Sequence, residues 1–411
     1  MRWLIAPACL VAACSSTPPT PDDPGRRYLD DATFRGGELR ASLVDPDDGY
    51  SRLRLEKYGA AWEALPVWNP RVEPVLEADL GSVGALVPVG PLARSIAIAT
   101  DDASLLQLGR DAFERYPAQL LVGASYALAT AEVSPAYGLA IDPETGRVGS
   151  LVRAEMADGS SRVAMTCATC HSAMRGGVRV PGAPNAALDL GRVLIDAEAA
   201  VGPHAARMAA WGPGRVDVSS NDASEPARIP DLRPVRFLTH LHQDATLRQR
   251  SIATLALRVE TLIITSHGEA LRPPREIALG LAMAIWALAD DLPPVGDAPP
   301  VVRRACVPCH SDAGLTGPPV TLAMVGTDAT LGLSLERGTG FYRAPSLRGV
   351  GTRGPLLHDA SAPDLDVFFD PRRVDADFTG GRGGRPIPGH SWNLTLTDDE
   401  RASVIAYLKA R

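Results

Sequence analysis

The sequence predicts a mainly α-helical protein with long loops, built from two related units behind an N-terminal extension. Three observations lead there. Strand patterning is scarce. The motif Cys-x-x-Cys-His occurs twice, as CATCH at 167–171 and CVPCH at 306–310, and a segment that follows the first motif recurs after the second. At 411 residues the chain has room for two or three domains. A net charge of -7, few aromatics and abundant glycine and proline suit a loop-rich soluble fold and leave no basic footprint for nucleic acid.

The chain opens on MRWLIAPACLVAAC, one basic residue and an apolar run that is too short to span a bilayer, which is the pattern of a bacterial export signal. Residues 1–14 resemble a lipoprotein signal, with LVAAC as the lipobox and Cys14 as the lipid-modified first mature residue. A signal peptide cleaved elsewhere is the alternative. Ser15 is not the aspartate that such lipoproteins use for inner-membrane retention, so the resemblance implies a periplasm-facing protein on the outer membrane, held by its lipid alone. Residues 15–30, beginning SSTPPTPDDPGRR, are proline-rich and polar, as a tether between lipid and folded domain should be.

Of the six cysteines, Cys9 belongs to the signal and Cys14 to the anchor, which leaves Cys167, Cys170, Cys306 and Cys309. Zinc sites built from two CxxC pairs separate them by about 12 to 20 residues. Here well over a hundred residues intervene. A redox dithiol explains neither the second copy nor the histidine after each. Haem c explains both: the two thiols add to the vinyl groups, and the adjacent histidine is held beneath the iron. Two covalent haems c are therefore expected, with His171 and His310 as proximal ligands.

Helical patterns lie at 104–116, 195–211 and 247–264, and REIALGLAMAIWALADD at 275–291 reads as a buried helix, since its uncharged core is only 13 residues long. The last helix begins in TDDE, with Thr397 and Glu400 in capping-box spacing, and carries Val404, Ile405 and Leu408 on one face. RIPDLRPVRFLTHLHQDAT (228–246) set above RAPSLRGVGTRGPLLHDAS (343–361) matches at eight of nineteen positions without gaps. Each copy follows a CxxCH, so duplication of a cytochrome-type unit is the simplest account. The expected division is an N-terminal haem domain with an extension over 31–295 and a C-terminal one over 296–411, both cytochrome c-like.

The two CxxCH motifs 139 residues apart, YRAPSLRGVGTRGPLLHDAS and the terminal LTDDERASVIAYLKA resemble the bacterial di-haem cytochrome c peroxidase superfamily, which includes quinone-forming and rubber-cleaving enzymes. The likeness runs from about residue 160 to the end. LLQLGRDAFERY looks like the family's lead-in to the first haem, yet some fifty residues then intervene before Cys167. The resemblance implies a tryptophan relay between the haems, for which Trp211 is the candidate, a core tryptophan being the alternative. It also implies a calcium ion between the domains, with no ligands assignable here, and a small cytochrome or cupredoxin as electron donor.

Sixth ligands decide the chemistry, because a haem with two strong protein ligands passes electrons and one with an open face binds peroxide or dioxygen. The family's second histidine would fall near position 187, which is alanine here, and no histidine lies between His171 and His204. The N-terminal haem is therefore expected to be open. THLHQDATLRQRS is expected over it, with His242 or His240 moving peroxide's proton and Asp244 orienting it, or else serving structure. For the C-terminal haem His390 in PIPGHSWNL is the leading distal ligand, with Met324 and His358 as rivals. Peroxide reduction at the N-terminal haem, with the C-terminal haem as electron-transfer centre, is the leading function. Oxygenation or oxidation of an organic or protein substrate and a non-enzymatic electron wire are the alternatives.

Overall fold

The computed structural model describes residues 23–82, 96–98, 101–197, 202–217, 225–311 and 313–411. The signal segment, Cys9, Cys14 and residues 15–22 lie outside them. Helix α1 (Pro24–Asp30) starts where Asp23 accepts from Gly25 N at 2.7 Å with proline in the first turn, and Tyr28 within it is fully buried. Residues 24–30 of the stretch assigned to the tether are thus helical. Asp31, Asp48 and Asp101 cap α2 (Ala32–Ser42), α3 (Gly49–Lys57) and α4 (Asp102–Arg115) in the same way.

The fold is mixed, 41% helix and 13% strand with several small antiparallel sheets, which corrects the expectation of mainly α, cytochrome-like units. The largest sheet runs β1-β3-β4-β2, from β1 (Val72–Leu76), β2 (Gln119–Leu120), β3 (Arg147–Glu155) and β4 (Ser161–Met165). Strands β2 to β4 occupy the insertion ahead of the first CxxCH, and β1 comes from before α4. The buried face of β3 carries Val148, Ser150, Val152 and Ala154, and Leu151 is buried on the other face, so a polar serine on the buried side and an apolar leucine on the opposite one blur the alternation in its sequence. Short helices α5 (Ala124–Ala127) and α6 (Val133–Ala136) lie between β2 and β3, and β4 runs into α7 (Cys167–His171), the first CxxCH.

Beyond α7 come a hairpin of β5 (Ser172–Arg175) and β6 (Val178–Pro181), then α8 (Leu190–Asp196), α9 (Gly202–Ala209), α10 (Ile252–Ser266), α11 (Arg275–Ala287) and α12 (Pro300–Ala305). The single helix expected over 195–211 is divided between α8 and α9, and 247–248 is a strand rather than the start of α10. Among the described residues no helix is long and apolar enough to cross a membrane.

Among the described residues, three apolar cores follow. The first joins α1 to α4 with α10 and α11, the second lies under the sheet, and the third, between Ala298 and Leu408, holds the C-terminal part. Helices α4 and α11 cross at Gly109 and Gly280, where a Cβ on Gly109 would stand 1.7 Å from the Gly280 carbonyl oxygen. Only glycine permits that approach. Helix α10 is tied to the N-terminal helices by Glu260, buried and accepting from Tyr28 Oη at 2.9 Å and Tyr58 Oη at 2.7 Å. The closing helix Asp398–Lys409 has its capping box, with Thr397 N to Glu400 Oε2 at 3.1 Å and Glu400 N to Thr397 Oγ1 at 3.3 Å.

Candidate functional site

Helix α7 is short and would not hold by itself, so hydrogen bonds pin it to the sheet. Thr166 and Thr169 both donate to the Ser150 carbonyl of β3, at 2.9 and 3.2 Å. Cys167 packs against the helical core and Cys170 against the sheet core, so the motif sits at their junction. His171 Nδ1 lies 3.0 Å from the Pro230 carbonyl oxygen, an acceptor, so Nδ1 carries the proton and Nε2 is left as a lone-pair donor. Burial lowers the His171 pKa to about 4, which keeps the ring neutral.

Cys167, Cys170 and His171 line a cavity of about 240 Å3. Leu255, Val259, Leu262 and Ile263 from α10 give it an apolar flank at helical spacing, and Arg258 of the same helix also reaches its wall. Cys306, Cys309 and His310 line a second cavity of about 450 Å3, with His310 Nδ1 3.2 Å from the Leu315 carbonyl oxygen. The two histidines are thus oriented by the same kind of bond.

His390 shares the second cavity with His310. Its loop is held from behind by the fully buried Arg373, which reaches the carbonyls of Gly389 at 2.7 Å and His390 at 3.1 Å. The His390 backbone is left-handed, φ 49°, and its N donates to Val325 O at 2.6 Å. Its ring meets Phe368 and Trp392 edge-on, each at 5.0 Å, and Nδ1 is buried without a partner. Burial, then the neighbouring His310, push its pKa down to about 4. Met324 is 58% exposed and off the cavity wall. His358 lines the cavity, but its ring lies stacked on Tyr342 at 4.1 Å.

The distal candidates of the first cavity separate. His242 and Asp244 line it, and His240 does not. Asp244 is fully buried and accepts from Thr246 Oγ1 at 2.5 Å, with Arg337 Nε 3.6 Å away, so it does not orient His242. Arg258 takes that part: its Nε donates to His242 Nε2, leaving the ring proton on Nδ1. Tyr50 packs edge-on against the His242 ring at 5.1 Å, and Arg54 lies over Tyr50 at 3.3 Å. Burial and the positive charges of Arg258, Arg337, Arg54 and Arg343 hold His242 well below its ordinary pKa, and it is neutral. Trp211 is 4% exposed and lines neither cavity. Sequence reasoning missed Arg258, because nothing local marks one arginine in a helix as facing a cavity.

The donor sets discriminate between cofactors. The two CxxC pairs line different cavities, and among the described residues no three His, Cys, Asp or Glu side chains converge, as a zinc cluster would need. Burial pushes the Cys167 and Cys170 thiols up to about 12, unlike the acidic thiols of redox dithiols. Haem fits better: each cavity is mainly apolar, offers two thiols beside a histidine whose Nδ1 is turned to a backbone carbonyl, and has guanidinium groups for acidic side chains. Comparison of the chain with profiles of known protein families, with curated proteins and with solved structures gives no match.

Proposed function

We propose that the protein is a di-haem c-type oxidoreductase that reduces hydrogen peroxide in the N-terminal cavity, with the C-terminal cavity as its electron-transfer centre. The observation that carries the reading is the contrast between the two cavities: one is lined by His390 as well as His310, the other by an Arg258–His242 pair as well as His171. Bound haem would supply iron that exchanges single electrons and, where a coordination position is free, holds an oxygen ligand. The chain's own groups do the rest. His171, oriented by Pro230, is the proximal donor. His242, its Nε2 engaged by Arg258, is a hydrogen-bond donor through Nδ1 and not a base. The adjacent guanidinium favours negative charge developing on a leaving oxygen. Reaction of one peroxide with two electrons and two protons yields two waters. A small cytochrome or cupredoxin at the periplasmic face of the outer membrane is the proposed source of the electrons.

Haem quantification with low-temperature EPR of the ferric protein tests this. Two haems per chain, one high-spin and one low-spin, with two donor molecules oxidised per peroxide, is the expected result. A chain exported without haem overturns the reading. Two low-spin haems make it an electron wire, and dioxygen-dependent conversion of an organic compound makes it an oxygenase.

A further inference from the structure

The two copies of the repeat meet each other in the fold. Arg228 and Arg343 are their first residues, 115 positions apart. Arg228 N donates to His358 O at 2.7 Å and Arg343 N donates to Gln243 O at 3.0 Å. Gln243 and His358 are also matching positions, so the two bonds are reciprocal, as across a local two-fold axis. The backbone repeats as well: His242 and Leu357 have φ of 64° and 66°, and Ala245 and Ala360 have φ of 58° and 60°. Left-handed conformations are uncommon for such residues, so their recurrence in register marks a shared architecture.

The crossing leaves three side chains, Arg228, Gln243 and Arg343, on the walls of both cavities at once. Neither arginine has a carboxylate partner among the described residues. Arg228 Nε donates to Leu357 O at 2.9 Å, and its Nη1 is buried and unpaired. The Arg343 guanidinium makes no hydrogen bond or ion pair at all among the described residues. Burial, with repulsion from Arg353, lowers Arg228 to about 9 and Arg343 to about 10. The carboxylates whose charge reaches them form their bonds elsewhere: Asp231 with Arg233 and Arg353, Asp244 with Arg337 and Thr246, and Asp359, which reaches Arg228 by charge only, with Ser361 N. Two buried cations without a paired carboxylate are costly, and an anion that arrives with the cofactors would relieve both.

We propose that Arg228 and Arg343 form one carboxylate-binding seam, shared by both cavities, that clamps the propionates of the two porphyrins and ties their redox equilibria together. The planar fork of arginine matches a carboxylate in two bonds. The seam also offers a route between the two centres that does not need Trp211. This inference rests on the haem reading above, and the haem content of the wild-type protein tests that reading separately.

The test is spectroelectrochemical titration of the full chain carrying Arg343→Gln, with haem counted per chain. Positive charge beside a haem favours the reduced state. Its loss should therefore shift both reduction equilibria towards the oxidised form, by about tenfold or about 59 mV for one electron. Arg343→Lys should restore both, and Arg372→Gln, at an exposed ion pair, should move neither. Because no side-chain hydrogen bond is lost, Arg343→Gln should still fold; Arg228→Gln repeats the test from the other copy. A shift confined to one haem, or no shift with two haems bound, overturns the shared seam. Potentials that follow added acetate would also overturn it, since the arginines would then be binding a free anion. Absence of haem in the wild type overturns the cofactor reading instead.

Discussion

Asp231 ties the two repeats together, and removing it should destabilise the protein by about 3 kcal/mol, the lower end of the range for breaking a buried pair. Its side chain is 2% exposed, and the partners Arg233 and Arg353 are 11% and 4% exposed. Oδ1 accepts from Arg233 Nε at 3.0 Å, and Oδ2 accepts from Arg233 Nη2 at 2.7 Å and Arg353 Nε at 3.2 Å. Asp231→Ala would leave both guanidinium groups buried without a counter-ion. The lower figure applies because Arg353 keeps the Ser346 and Arg348 carbonyls and Arg233 keeps Thr352. About 3 kcal/mol is on the order of a hundredfold in the folding equilibrium. The assay is urea unfolding followed by tryptophan fluorescence, where the midpoint should fall at constant slope. In a cycle with Arg353→Met, the double variant should lose less than the sum of the singles by about 0.5–3 kcal/mol. A loss below about 1 kcal/mol, the range of exposed pairs, or strict additivity would refute the reasoning. The pH dependence has a definite sign. Burial alone would raise the Asp231 pKa, but Arg353 and Arg233 outweigh it and hold the carboxyl below its ordinary range. The contribution is thus complete above the unfolded value of about 4 and is lost as pH falls through the folded one, so the deficit of Asp231→Ala should shrink in acid.

Replacing Cys306 and Cys309 together by serine should lower the covalent haem count from two per chain to one, read by pyridine haemochrome on denatured protein. His390→Ala should convert the low-spin EPR signal of one haem to high-spin and leave the other unchanged. Arg258→Gln should slow peroxide consumption by about 10²–10³-fold, as loss of one aimed donor does, with haem content unaltered. Gly109→Ala should cost about 1–3 kcal/mol, because the new methyl collides with the Gly280 carbonyl, and the thermal midpoint should drop accordingly.

Several features were legible because their causes are local. The cap of the closing helix, the extents of α4 and α11 and the repeat at 228–246 and 343–361 each depend on residues a few positions apart. The sheet was not legible, since Ser150 on the buried face of β3 and Leu151 on the other blur the alternation by which strands are read, and its partner strands are short. His240 and His242 are equivalent in sequence, two positions apart in one loop. Only the left-handed turn at His242 and the approach of Arg258 from α10 distinguish the one on the cavity wall.

By itself the sequence determined the chemistry available at 167–171 and 306–310, because two thiols and an imidazole within five residues need no long-range help to be neighbours. It also showed that the segments after them match at eight of nineteen positions. The tertiary structure alone decided what shares a cavity with each motif: Arg258 and His242 with His171, His390 with His310, Trp211 on neither wall, and two arginines 115 residues apart on a wall common to both cavities. Those pairings come from packing three cores against one another. Packing is satisfied by the summed burial of many side chains, and it leaves no periodic trace at the few polar positions that it brings together.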